Sequence, residues 1–254
     1  MMDGSTDLSG DEQEVIYLRV STKGQVVDRF LGIGSPESTT AKDLEQFAIS
    51  MFSSYGIDTA KFVGMASDGA SNMVGVKGGL ATLLRQDINS ELVNVHCLAH
   101  RLELAFRDVL KKNKIYDKIM TLMVGLYYFY KKSYNNKKSL LNSIKVCQID
   151  GLMPPKVTGT HWLAHLSRGI NSFIRTYRAY EVPLSTLSHK NPKAEGLVKI
   201  MLGKDVICFM LFLKDILDPL MKLSLTLQKP ENTLADSMIY VEATVGLLQD
   251  CKPR

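Results

Sequence analysis

The stretch FVGMASDGASNMVGVKGGLATLLR, residues 62–85, decides how the chain reads. Together with Lys61 its first part, KFVGMAS, has the apolar and small residues of a short strand that runs into Asp68. Gly69, Ala70, Ser71 and Asn72 allow a tight backbone turn, and the spacing beyond them predicts a helix to about Arg85. A carboxylate at the end of a strand, just before such a turn, faces the crevice where α/β sheets bind ligands and metals. Capping the following helix is the structural alternative for Asp68.

Outward from this stretch, EVIYLRV (14–20) and QVVDRFLGI (25–33) are rich in β-branched and aromatic residues and flank Lys23-Gly24, which predicts an antiparallel hairpin. Thr39 or Thr40 should cap a helix through AKDLEQFAISMFSSYG, with Leu44, Phe47, Ala48, Met51 and Phe52 at helical spacing and Gly56 as its stop. ELVNVHC from Glu91 reads as a second short strand, leading into the helix LAHRLELAFRDVLKK. Beyond Lys114 strand signals fade. Helices are expected near 115–131, 135–147, 160–180, 193–201, 204–228 and 233–249, broken among others at Pro154-Pro155, Pro183 and Pro192. The expected division is therefore a mixed α/β part, residues 1–112, and an all-helical part, residues 113–254.

The composition, 45% hydrophobic and 22% charged with a formal charge of +5, is that of a folded domain with a mild basic excess. Four scattered cysteines, Cys97, Cys147, Cys208 and Cys251, form no CxxC pair and suggest free thiols rather than a disulfide framework. The acidic start MMDGSTDLSGDEQE is not a secretory signal, and the apolar run from Val206 to Leu213 is far short of the ~20 residues that span a membrane.

Several constellations could carry chemistry. Asp3, in DGSTD, would complete with Asp68 a pair of carboxylates of the kind that holds Mg2+ for attack on phosphodiesters; an acidic N-terminus without such a role is the alternative. Cys97 and His100 share a helix face as zinc ligands do, but no second Cys/His pair stands at zinc-finger spacing, so no structural zinc is expected. His161 and His165 are four apart, yet HWLAH lacks the glutamate of the zinc-protease motif. Trp162 could stack on a base or fill the core. Lys111, Lys112, Lys114, Lys131, Lys132, Lys137 and Lys138, with Tyr127, Tyr128, Tyr130 and Tyr134, make the most basic and aromatic stretch, fit either to contact phosphate or to form a solvated helix face.

Taken in order, DGSTDLSGDEQEVIYLRV, FVGMASDGASNMVGVKGGLATLLR, LVNVHCLAHRLELAFRDVLKK, GLYYFYKKS and VTGTHWLAH resemble vertebrate proteins domesticated from transposases of the hAT superfamily, a branch that includes proteins named as zinc-finger or SUMO-ligase-like. The resemblance implies an RNase H-like α/β core followed by the start of an all-α insertion domain. In active relatives an Asp-Asp-Glu triad holds divalent metal; the first two members fall on Asp3 and Asp68, which should then lie close together, while the glutamate is expected beyond the end of this chain. A CxxH motif that supports the active site falls on Cys97 and His100. A motif whose tryptophan holds a flipped base falls on His161-Trp162, with His161 standing where Arg is usual, so a fixed cation gives way to a mostly neutral ring.

The resemblance also implies a first strand truncated at Met1, and expects neither the BED-type zinc finger nor the dimerisation segment of relatives, so it gives no oligomeric state. The expected function is a non-catalytic remnant of a transposase acting in the nucleus through binding, with DNA or nuclear proteins as partners, with Trp162, His161, Lys131 and Lys132 as nucleic-acid contacts and with no cofactor unless Asp3 and Asp68 retain Mg2+. An active divalent-metal-dependent transposase or nuclease is the first alternative. A SUMO-ligase-like protein is the second, and no RING-type Cys/His array or catalytic-cysteine signature supports it.

Overall fold

A computed structural model describes residues 1–7, 9–159 and 162–251 and divides the chain into two compact units, Met1–Arg101 and Leu102–Arg254.

The first unit mixes a small sheet with helices. Strands β1 (Met2–Thr6), β2 (Glu12–Thr22) and β3 (Gln25–Gly34) form an antiparallel sheet in that order. The β2–β3 hairpin closes through Lys23 and Gly24, whose φ of 52° and 78° are the left-handed pair of a type I′ turn, matching the twist of the strands it joins. A parallel pair, β4 (Gly64–Ser67) and β5 (Val93–His96), lies with β4 beside β1. Helix α1 (Ala41–Ser54) begins at Thr40, whose hydroxyl accepts the Asp43 N–H at 3.3 Å. It packs with α3 (Leu80–Asp87) over the sheet, so that Ile16, Leu31, Leu44, Ala48, Phe52, Met65, Leu80 and Leu84 share one core. The opposite alternate residues stay exposed, among them Tyr17, Phe30, Ile33, Val93 and Val95.

The second unit is helical: α4 (Leu98–Leu110) enters it from the first, followed by α5 (Lys114–Lys131), α6 (Tyr134–Val146), α7 (Trp162–Ser188), α8 (Pro192–Met201), α9 (Lys204–Leu227) and α10 (Leu234–Asp250). Among the described residues it holds no strand. Leu122, Leu126 and Tyr130 of α5, Leu163, Leu166, Ile170 and Tyr180 of α7, and Val206, Met210 and Leu213 of α9 are nearly inaccessible and fuse into one core. Leu102 and Phe106 pack against it, which is why most of α4 belongs here.

Residues 148–159, between α6 and α7, have no regular structure and are tied down by Thr176. The Leu152 N–H donates to Thr176 Oγ1 at 2.9 Å, and that hydroxyl donates to the Leu152 carbonyl at 3.2 Å. Thr176 is fully buried. Thr176→Val should therefore cost about 1–3 kcal/mol by leaving the Leu152 amide unpaired, whereas Thr176→Ser should keep most of the stability. Urea unfolding of the two variants checks this; a loss in Thr176→Ser with none in Thr176→Val would show that the methyl group, not the hydroxyl, does the holding.

Three expectations are corrected. MDGST, expected to follow a strand, itself forms one, paired over all five residues with β2 from Met2↔Ile16 to Thr6↔Glu12 and anchored by Met2 in the core. Asp3 consequently lies within a strand rather than after one. The helix expected up to Arg85 is two, the short α2 (Ser71–Val74) and α3, because the chain turns at Gly75 and Gly79, where the backbones approach so closely that a Cβ on Gly79 would collide with Gly75. And α7 does not break at Pro183 but continues to Ser188, since Ala179, Tyr180 and Leu184 on either side are buried in the core and their packing outweighs the lost backbone hydrogen bond.

Candidate functional site

The DGSTD segment enters the site as β1. Its two aspartates part ways there: Asp7 Oδ1 accepts the backbone N–H groups of Ser9, Gly10 and Asp11 at 2.8, 3.0 and 3.0 Å and so builds the turn into β2. These hydrogen bonds, that of the Ser9 hydroxyl first, hold its carboxyl below the usual range. Asp3 sits opposite Val15 in the ladder and takes no part in that turn.

Asp68 follows directly on β4, the strand beside β1. Its Oδ1 accepts the Ala70 N–H at 2.9 Å, an Asx turn that shapes the step to Gly69 at φ +85°. The helix cap proper is Ala70, which has no side-chain capping bond, so Asp68 is a turn former rather than an N-cap. Asn72 reaches from α2 to the Thr39 carbonyl at 2.9 Å and fixes this turn to the start of α1.

The acid that sequence reasoning missed is Glu14. It faces Gly4 across the β1–β2 ladder and folds over it so closely that a Cβ on Gly4 would collide with its carboxyl. Only 3% of Glu14 is accessible, and Oε2 has no hydrogen-bond partner among the described residues. Burial first, then the negative charges of Asp3, Glu12 and Asp68, push its carboxyl up to about 7. Asp3 and Asp68 are thus among the negative charges that act on Glu14, behind its burial. The only signal in the sequence was a glycine in the strand opposite a glutamate, and it became readable only once the register was known.

On the far side of the turn, His96 at the end of β5 lies against Gly69, where any Cβ would strike its ring, and its Nε2 is buried without a partner. The His100 ring is 5.8 Å away, at the start of α4, whereas Cys97 is an exposed free thiol joined to the site only by its backbone N–H, which donates to the Ser67 carbonyl at 2.9 Å.

Among the described residues no group of three or more His, Cys, Asp and Glu side chains is placed to hold an ion. Glu14, the nearest third carboxylate, sits beneath its strand and binds a proton near neutral pH.

The other expected site residues lie in the helical unit. Trp162 opens α7, is half-buried against the helical core and meets Phe106 edge to face at 5.6 Å, a packing role. His161 lies outside the described residues. Lys131 and Lys132 end α5, each with its ammonium over a tyrosine ring, Tyr127 at 5.0 Å and Tyr128 at 5.2 Å, and both are exposed.

Residues 1–79 match a family model described as ZMYM1/FAM200, RNase-like domain. The match supports a domesticated, transposase-like family for this stretch, the RNase-like region of zinc-finger-type proteins. Asp3, Glu14 and Asp68 fall inside it, and Cys97, His100, Trp162 and the lysines of α5 fall outside. Among the described residues no helix is long and apolar enough to cross a membrane.

Proposed function

We propose that the chain is a non-catalytic derivative of a hAT-type transposase, an RNase H-like core joined to the start of its helical insertion, and that it works in the nucleus by binding rather than by cutting. The observation that carries this reading is Glu14, buried over Gly4 with its Oε2 unpartnered among the described residues and its carboxyl pushed up to about 7. Strand cleavage by a metal-dependent nuclease requires carboxylates that share divalent cations; here Glu14 is buried with its carboxyl pushed up to about 7, and Asp68 Oδ1 accepts the Ala70 N–H of its own turn. The RNase-like match over residues 1–79 supports the descent.

The alternative, a Mg2+-dependent nuclease, draws on the negative charges of Asp3 and Asp68 acting on Glu14, whose carboxyl would ionise at raised pH. The test is cleavage of hairpin and transposon-end DNA by the purified chain in Mg2+ or Mn2+, at pH 7 and pH 9, with Asp68→Ala alongside. No product above the Asp68→Ala background is expected at either pH, and neither metal should raise the unfolding temperature. Product that appears with metal and vanishes in Asp68→Ala would establish the nuclease.

A further inference from the structure

The positive charge of this protein is concentrated in one place. Residues 111–147 hold nine lysines and a single acid, Asp117, leaving 22 basic against 25 acidic residues in the rest, so without this segment the chain would be net negative. From Lys118 to Ile149 there is no carboxylate side chain at all. This segment is α5, the elbow after it, and α6.

Not all of the nine are available. Lys111 pairs with Asp108 at 3.1 Å and Lys118 with Asp205 at 2.9 Å. At the elbow, Lys131, Lys132, Lys137 and Lys138 are exposed, and none forms an ion pair among the described residues. Four unneutralised ammonium groups within eight residues raise the local potential, and that repulsion is relieved by a polyanion whose counterions are released on binding.

The aromatic residues narrow the class of polyanion. At the end of α5, Phe129 and Tyr130 are buried and anchor the helix in the core, while Tyr128 is 46% exposed and Tyr134, beyond the elbow, 75%. The Lys132 ammonium lies 5.2 Å from the Tyr128 ring centroid, and the Tyr127 ring is 5.1 Å from that of Tyr128, edge to face. Exposed phenol faces beside lysines are what an unstacked base needs, a platform next to a phosphate contact. Duplex DNA keeps its bases stacked and would use only the lysines.

We propose that the α5–α6 elbow is a binding surface for single-stranded nucleic acid, with Lys131, Lys132, Lys137 and Lys138 on the phosphates and Tyr128 and Tyr134 stacking on bases. This rests on the binding-module reading above and gives it a ligand class. It requires no base-specific contact, so DNA and RNA strands of one sequence are both ligands, and the 2′-hydroxyl decides between them only secondarily.

Fluorescence anisotropy of the full 254-residue chain tests this with a labelled DNA or RNA strand of about 16 nucleotides, the matching duplex, and phosphatidylserine vesicles as separate probes. The single strand should bind about tenfold or more tightly than the duplex. Replacing the four lysines by Ala should flatten the dependence of log affinity on log salt by about 2 to 3. Tyr128→Ala with Tyr134→Ala should lower affinity about tenfold or more, and Phe at both positions should restore it. These side chains are exposed and Ala favours helix, so an unchanged melting curve certifies each variant. Equal binding of strand and duplex with silent tyrosine variants, or vesicle binding in place of strand binding, overturns the proposal. A retained salt slope in the lysine variant also overturns it but leaves the binding-module reading intact, whereas no nucleic-acid binding anywhere, with no protein partner, removes both.

Discussion

Glu14→Gln is expected to make the protein more stable than wild type at pH 8 by about 2–3 kcal/mol and to change little at pH 4. The carboxyl ordinarily titrates near 4.5, and in the folded protein burial and the charges of Asp3, Glu12 and Asp68 move it to about 7. Below pH 4.5 it is protonated in both the folded and the unfolded chain and its stabilising effect is fully present. Between 4.5 and 7 the unfolded chain gives up the proton while the folded chain keeps it, so stability falls as pH rises. Above 7 the loss levels off. The amide of Gln has the shape of the protonated acid and cannot ionise, so the variant removes the whole pH-dependent loss. The full difference between the two pKa values corresponds to about 3 kcal/mol, and the carboxyl, although covered, lies close enough to the surface for water to screen part of it. Urea unfolding at pH 4, 6 and 8 checks this. A wild-type and variant difference that is flat across the three would mean that Glu14 ionises in the fold as it does in water.

How much of this was legible in the sequence differs by element. Thr40 and the 3–4 spacing from Leu44 to Phe52 announce α1 correctly, because capping chemistry and an amphipathic face are local properties. The type I′ turn was visible in Lys23-Gly24 for the same reason. What escaped reading depended on partners distant in the chain. MDGST has no β-branched residue but its terminal threonine, and it becomes a strand because EQEVI offers it a ladder. Pro183 is tolerated in α7 because the residues around it are buried against neighbours that no local window contains. Glu14 comes to the site only through Gly4, its partner in the register. Asp68 was legible as a special position, but its bond to the Ala70 N–H, not to the start of a long helix, required the break of the helix at Gly75 to be known.

Gly69→Ala should cost about 2–4 kcal/mol, and about half of that should disappear in the absence of His96. Two separate costs meet at this position. With φ at +85° the backbone lies where an L side chain brings Cβ against the neighbouring peptide, which by itself costs about 1–2 kcal/mol. The second cost is steric, since a Cβ built on Gly69 collides with the His96 ring, at Nε2 and Cε1. The ring cannot simply retreat, because His96 closes the β4–β5 ladder opposite Ser67 and its Nε2 is already buried. Either the ring turns out of its place or the Asp68 turn opens, and the second breaks the bond from the Ala70 N–H to Asp68 Oδ1. His96→Ala removes the collision but not the backbone cost, so Gly69→Ala on that background should lose only about 1–2 kcal/mol. The four-member cycle of wild type, two single variants and the double variant, unfolded in urea, isolates the coupling. Equal costs of Gly69→Ala with and without His96 would show that the turn alone demands glycine, and that the histidine covers it without constraining it.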